Sequence, residues 1–139
     1  MTNTKRDTSL PSKGEQKALG KVLWLLAEEY DLSISELALL LDVGEKTIRN
    51  AKKARSFPQP SLDRMRRIGH LLGIKKNLEI LFPRNQEIRA NWLKVPRETF
   101  KGKSALELIE ENPLLSMDRL FTVRRILDMY RVGTLSEVI

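Results

Sequence analysis

Residues 32–55, LSISELALLLDVGEKTIRNAKKAR, set two short amphipathic segments on either side of a turn, and this pairing limits the fold more than any other feature of the chain. In the first segment Ile34, Leu37, Ala38 and Leu41 recur at i, i+3, i+4 and i+7 and share one helical face. Ser33 or Ser35 is placed to cap its start. At about 100° per residue, the second segment sends Ile48 and Ala51 to one side and Lys46, Arg49, Asn50 and Lys53 to the other. The pattern predicts a helix-turn-helix whose second helix packs by one face and presents the opposite one. Ala38 is small where the two helices cross, leaving room for Val43 and Ile48. Asp42 occupies a turn position where glycine is common, and Asp tolerates a left-handed backbone better than most residues.

The presented face suits double-stranded DNA. Arginine forks onto guanine O6 and N7, asparagine pairs with adenine N6 and N7, and lysine brings charge to phosphate or base. A helix of this width enters the major groove. The predicted contact set is Glu45, Lys46, Arg49, Asn50, Lys52, Lys53 and Arg55. A basic helix in an ordinary bundle would also carry such charges, but Ala38, Val43, Thr47 and Ile48 joined to them favour the DNA reading. Charge placement agrees: of a net charge of +7, residues 44–76 hold ten Lys and Arg against two acids, whereas the rest of the chain is nearly balanced. A local surplus is what a polyanion-binding surface requires.

Other classes are disfavoured. The longest apolar runs, VLWLLA and LALLL, fall far short of the roughly 20 residues that cross a bilayer, and the first residues have no apolar core of a signal peptide. A cytoplasmic protein without membrane association is therefore expected. With no Cys and one His, disulfides, thiolate chemistry and the usual zinc sites are not expected, and no metal or cofactor is assigned. No glycine-rich phosphate loop is present, His70 has no evident partner, and adjacent Glu110 and Glu111 point about 100° apart in a helix. No catalytic residue is assigned, and the chain is not expected to be an enzyme.

The fold class expected is all-α. Residues 1–11 are polar and aperiodic, which predicts a flexible arm in which Lys5 and Arg6 are the basic residues. Ser12 and Glu15 have capping-box spacing and open a helix running to about Tyr30, with Ala18, Val22, Trp24, Leu25 and Leu26 on its apolar side. Pro58 and Pro60 break the pattern after the basic helix. Ser61 then caps a helix with Leu62, Met65, Ile68 and Leu72 inward and Gly73 at its end, and a short further helix stops at Pro83. Pro83-Arg84-Asn85 is the expected boundary between a DNA-binding bundle, residues 12–83, and a small helical interaction domain, residues 84–139. In the latter, a helix over residues 86–94 precedes a polar loop containing Phe100 and Gly102; Ser104 and Glu107 cap the next helix, and Ser116 caps a last one ended by Gly133. The tail, TLSEVI, is short and partly apolar, and is expected either to fold back on the core, the preferred reading, or to insert into a partner.

Trp92-Leu93, Pro96, the Phe100-Lys101-Gly102 loop, the Ser104-capped Leu-rich helix and VRRIL at residues 123–127 occur in an order that resembles the toxin-binding domain of Xre/MbcA/ParS antitoxins. With the upstream helix-turn-helix, the likeness covers most of the chain. It implies a type II toxin–antitoxin system: a protein that blocks a RES-domain toxin acting on NAD and represses their shared promoter. The resemblance places Phe100, Gly102, Lys103, Ser104, Arg124, Arg125 and Arg131 toward the toxin.

An alternative is a stand-alone transcriptional regulator whose C-terminal part dimerises or senses a ligand. Both readings expect a homodimer on a palindromic operator, with half-sites about 34 Å apart or a multiple of that spacing.

Overall fold

A computed structural model of the chain describes residues 10–135. Lys5, Arg6 and the last four residues of the tail lie outside that range. Among the described residues there are seven α-helices: α1 (Lys13–Glu29), α2 (Ile34–Leu41), α3 (Glu45–Ala54), α4 (Leu62–Leu81), α5 (Gln86–Asn91), α6 (Ala105–Glu110) and α7 (Ser116–Arg131). Single 3-10 turns lie at Trp92–Lys94, Glu98–Phe100 and Pro113–Leu115, and the described residues contain no strand, only an isolated antiparallel bridge between Arg97 and Lys103.

Short-range chemistry sets most helix starts. Capping boxes open α1 (Ser12 with Glu15), α2 (Ser33 with Glu36) and α6 (Ser104 with Glu107), so Ser33 rather than Ser35 caps α2. Ser61 Oγ accepts the Arg64 N–H of α4 at 3.1 Å, and Asn85 Oδ1 accepts the Ile88 N–H of α5 at 3.1 Å. Each such cap contributes about 1 kcal/mol by satisfying a backbone donor that the helix leaves open.

Gly73, Ser116, the apolar side of α1 and Leu62 on α4 depart from expectation. Gly73 does not end a helix: α4 runs unbroken for 20 residues. Glycine serves there for close approach, because a Cβ on Gly73 would stand 2.9 Å from Cδ of Arg124 and nearer still to its guanidinium. Ser116 does not cap α7 but lies within its first turn, since the 3-10 turn Pro113–Leu115 feeds straight into the helix and the Ser116 side chain turns inward. On α1 the buried residues are Gly20, Leu23, Trp24, Leu26 and Ala27, whereas Val22 and Leu25 are exposed. Leu62, expected inward on α4, is also exposed.

Gly20 explains how α1 is turned. The loop after α3 crosses α1 so closely that a Cβ on Gly20 would stand 2.7 Å from the Arg55 carbonyl oxygen and from Cα and C of Ser56. The neighbouring Trp24 is buried and its Nε1–H donates to the Ser56 carbonyl at 3.1 Å. Together they fix the C-terminal end of α3 against α1.

α4 and α7 pack against each other, and α2 meets both of them and α6. The chain does break at Pro83, between α4 and α5, yet the hydrophobic residues on either side, among them Leu37, Leu41, Ile68, Leu78, Trp92, Ile109 and Leu127, pack in one core. Lys94 adds a polar tie from the 3-10 turn after α5: its ammonium donates to the Asp31 carbonyl and lies 3.5 Å from Glu36.

We expect Gly20→Ala to lower the unfolding free energy by about 1–3 kcal/mol, because the clash is with backbone that cannot rotate away. Denaturant unfolding of the full chain measures this; an unchanged midpoint would contradict the close crossing.

Candidate functional site

α3 follows Gly44, whose extended geometry precedes its first turn, and is anchored by Ile48 and Ala51, both buried. Burying a side chain like Ile48 is worth about 1.5–3 kcal/mol, enough to fix which face turns outward. The turn before it is set by Asp42, which takes a left-handed conformation (φ 54°, ψ 54°), with the Asp42 and Val43 N–H groups both donating to the Ala38 carbonyl. Asp does here what glycine would, and adds a carboxylate 4.0 Å from the Arg67 guanidinium.

All seven residues predicted to contact DNA are exposed, but they do not form one surface. Lys46, Arg49, Asn50 and Lys53 lie opposite Ile48 and Ala51, on the outward side of α3. Glu45 lies on the flank, 3.5 Å from Arg49, one turn away. Lys52 and Arg55 turn toward α1 and line a groove of about 340 Å³ with Trp24, Glu28, Asp31 and Leu37. Arg55 lies 3.9 Å from Glu28 and itself adopts left-handed geometry to end α3 (φ 51°). The presented face is thus narrower than the basic sequence, since helical geometry sends every third or fourth residue back toward the body.

The charge surplus thins in the same way. Arg67 is 4% exposed and donates to Asp63 Oδ2 (2.7 Å), the Leu40 carbonyl (3.3 Å) and Ser116 Oγ (3.0 Å). Lys75 lies between Glu29 (3.2 Å) and Glu79 (3.0 Å). Burial opposes its charge, but hydrogen bonds to those carboxylates outweigh the effect and hold the ammonium above its ordinary range. Neither residue can face a polyanion without breaking these contacts. The Asp63–Arg67 spacing of four is the one sequence signal that marked Arg67 as engaged.

The residues that the resemblance placed toward a toxin also divide. Phe100 is 5% exposed and packs edge-to-face on Trp92 with ring centroids 6.3 Å apart, so it is a core residue. Ser104 is buried as the cap of α6; its N–H and hydroxyl engage Glu107, and these bonds hold that carboxyl below the usual range. Gly102 is exposed and left-handed (φ 84°), which lets its N–H return to the Arg97 carbonyl at 2.8 Å and close the loop. Arg97 stacks its guanidinium 4.0 Å from the Trp92 ring centre. Lys103 pairs with Glu111, which also holds Arg119 at 2.6 Å; the Lys103 and then the Arg119 hydrogen bonds depress the Glu111 carboxyl. Between this loop and α7 lies a cavity of about 360 Å³ lined by Thr99, Leu108, Thr122 and Ile126.

On α7, Arg124 reaches the Gly69 carbonyl (3.4 Å) and donates to His70 Nδ1 (3.5 Å), while Arg131 donates to Asn77 Oδ1 (3.1 Å). Both arginines hold α7 to α4, and Arg125 is exposed. No protein-family model matches this chain, and no curated protein matches it.

His70 is half-buried, edge-to-face with Phe121 at 5.6 Å. Burial, and then the Arg124 charge, hold its imidazole below the ordinary value of 6.5. The unfolded chain therefore binds that proton more readily; the stability linked to His70 is present above the unfolded value and is lost as pH falls through the lower folded one. We expect the unfolding free energy to drop as pH is lowered past the ordinary imidazole value of 6.5, with a shallower slope in His70→Gln. Parallel pH profiles in denaturant titrations of the two proteins would show that the ring is not held neutral.

Proposed function

We propose that the chain is a DNA-binding antitoxin and autorepressor in which α2 and α3 form the helix-turn-helix and α3 reads the major groove. The observation that carries the DNA part is the outward cluster of Lys46, Arg49, Asn50 and Lys53 on a helix whose opposite face is locked by Ile48 and Ala51. Arg49 and Asn50 have the chemistry for base edges; Lys46 and Lys53 have that for phosphates or bases. Two copies on a palindrome would supply the sequence length that one helix cannot read.

The partner, a RES-domain toxin acting on NAD, rests on the sequence resemblance of the C-terminal residues. One observation favours the alternative of a stand-alone regulator: Phe100 and Ser104 are buried, and Arg124 and Arg131 are tied to α4. Of the residues expected at a toxin interface, Gly102, Arg125 and the Lys103 rim remain most available. Phe100→Asp would place a charge in the core and report on folding rather than on an interface.

With operator fragments selected from the host genome, Arg49→Ala and Asn50→Ala are expected to cost about ten- to a hundredfold in affinity for the selected site and little on scrambled duplex. Lys46→Ala and Lys53→Ala should weaken binding to both and lower the salt slope by about one. Lys52→Ala, off the outward face, should have the smallest effect. Equal losses on both duplexes for all variants would remove α3 as the reading helix.

For the partner, the full chain is used to capture proteins from host lysate with nuclease present. One small protein whose NAD-consuming activity returns on separation is the expected result, and a separate selection on nuclease-free genomic fragments should recover the promoter upstream of the chain's own gene. Duplex binding with no protein partner would replace the antitoxin reading by the stand-alone regulator.

A further inference from the structure

Ser116 belongs to the first turn of α7, far along the chain from α2, yet its hydroxyl oxygen accepts from the same guanidinium nitrogen that donates to α2. Arg67 Nη1 lies 3.3 Å from the Leu40 carbonyl and 3.0 Å from Ser116 Oγ; Nε is fixed on Asp63 at 2.7 Å, and Nη2 faces the Asp42 carboxylate at 4.0 Å. The Leu40 carbonyl is one of the last four of α2, which have no partner within the helix, and it lies at the negative end of the helix dipole. Arg67 therefore caps α2 from outside, immediately before the left-handed turn at Asp42 that launches α3.

A buried guanidinium holds its position only while its acceptors hold theirs, because a charge removed from water is costly to leave half-satisfied. Asp63, on the same helix as Arg67, fixes one edge of the guanidinium, and Ser116 is the contact that α7 supplies. Both Arg67 and Ser116 are buried, while the Asp63 and Asp42 carboxylates on the other side of the guanidinium reach solvent.

We infer that Ser116 is a positioning residue for the α2–α3 turn, acting through Arg67, so that the seating of α7 sets the geometry in which α3 is presented. The consequence for DNA rests on the reading proposed above; the effect on the turn does not. Docking of the C-terminal helix and formation of the reading turn stabilise each other through one guanidinium. A partner that displaced the first turn of α7 would loosen the turn before α3, and duplex bound to α3 would in return favour the seated helix.

The test is amide hydrogen exchange on the full chain. In Ser116→Ala, the Asp42 and Val43 amides, both bonded to the Ala38 carbonyl, are expected to exchange about tenfold faster, while the buried α1 amides of Leu23 and Leu26 stay within about twofold. Thr122→Ala removes a different α7 hydroxyl, one that donates to the Asp118 carbonyl 2.9 Å away, and should leave the turn unchanged. In an Arg67→Met background the added Ser116→Ala change should have no effect on the turn, because the route is gone. Unchanged turn amides in Ser116→Ala, an equal rise at every amide, or the same Ser116→Ala effect with and without Arg67 would each overturn the inference. Should Arg67→Met fail to fold, the comparison of turn with α1 amides in Ser116→Ala still decides. Affinity of the same variants for selected duplex is the second readout: loss by Ser116→Ala and not by Thr122→Ala supports the link to DNA. A wild-type chain that selects no duplex removes the DNA reading alone, and the exchange result stands by itself.

Discussion

The Arg67 guanidinium is the point where the separate parts of this structure meet. It is almost fully buried on α4, donates to the carboxylate of Asp63 on its own helix, caps the end of α2 at Leu40, faces Asp42 in the following turn and donates to the Ser116 hydroxyl oxygen of α7. Desolvating such a charge is favourable only when its donors are matched, and here Asp63 and Asp42, which reach solvent, hold one side of the guanidinium while Leu40 and Ser116 hold the buried one. That need for matching makes Arg67 a specifying contact. Hydrophobic residues would hold α2, α4 and α7 together, but they would tolerate sliding that a forked, planar donor set does not.

The α4–α7 seam repeats the device at two further levels. Asn77 is buried and bonds Asp128 at 2.8 Å and Arg131 at 3.1 Å, while Arg124 lies across Gly73 to reach Gly69 and His70. These polar ties fix the register of two long helices whose apolar contacts alone would allow several. Gly73 is the space that the middle tie requires. The basic residues of the chain consequently serve two purposes: those on the outward side of α3 remain exposed, and those on the inner sides of α4 and α7 are consumed in joining helices. Composition counts both kinds together, so the local charge surplus overstates the surface available to a polyanion.

Helix existence was legible in the sequence because its causes are short-range. The Ser-x-x-Glu boxes at Ser12 and Ser104, a serine cap at Ser33 or Ser35, the prolines at 58, 60 and 83, and Gly133 each act within a few residues, and the structure places helix ends at or near them. Gly73 misled because a glycine offers two different things, a left-handed backbone and an absent side chain; only the position of Arg124 shows that the second is used. Ser116 misled for a related reason, since its hydroxyl suits an N-cap and a buried acceptor equally well. Val22 and Leu25 fit a broad apolar side of α1, but the close crossing at Gly20 rotates the helix and leaves them outside.

At the candidate site, the sequence by itself determined that α3 carries Arg49 and Asn50 opposite Ile48 and Ala51, because the helical repeat fixes relative directions whatever the surroundings. It also marked a polar loop around Phe100 and Gly102, which the structure closes through the left-handed Gly102. Only the tertiary structure decided that Lys52 and Arg55 face α1, that Phe100 fills the core beside Trp92, and that Arg67, Arg124 and Arg131 bind helices together. Those outcomes depend on which element lies across from each side chain. Asp63 is within local reach of Arg67, but its acceptors on other helices, the Leu40 carbonyl and Ser116 Oγ, stand 27 and 49 residues away, beyond any local pattern.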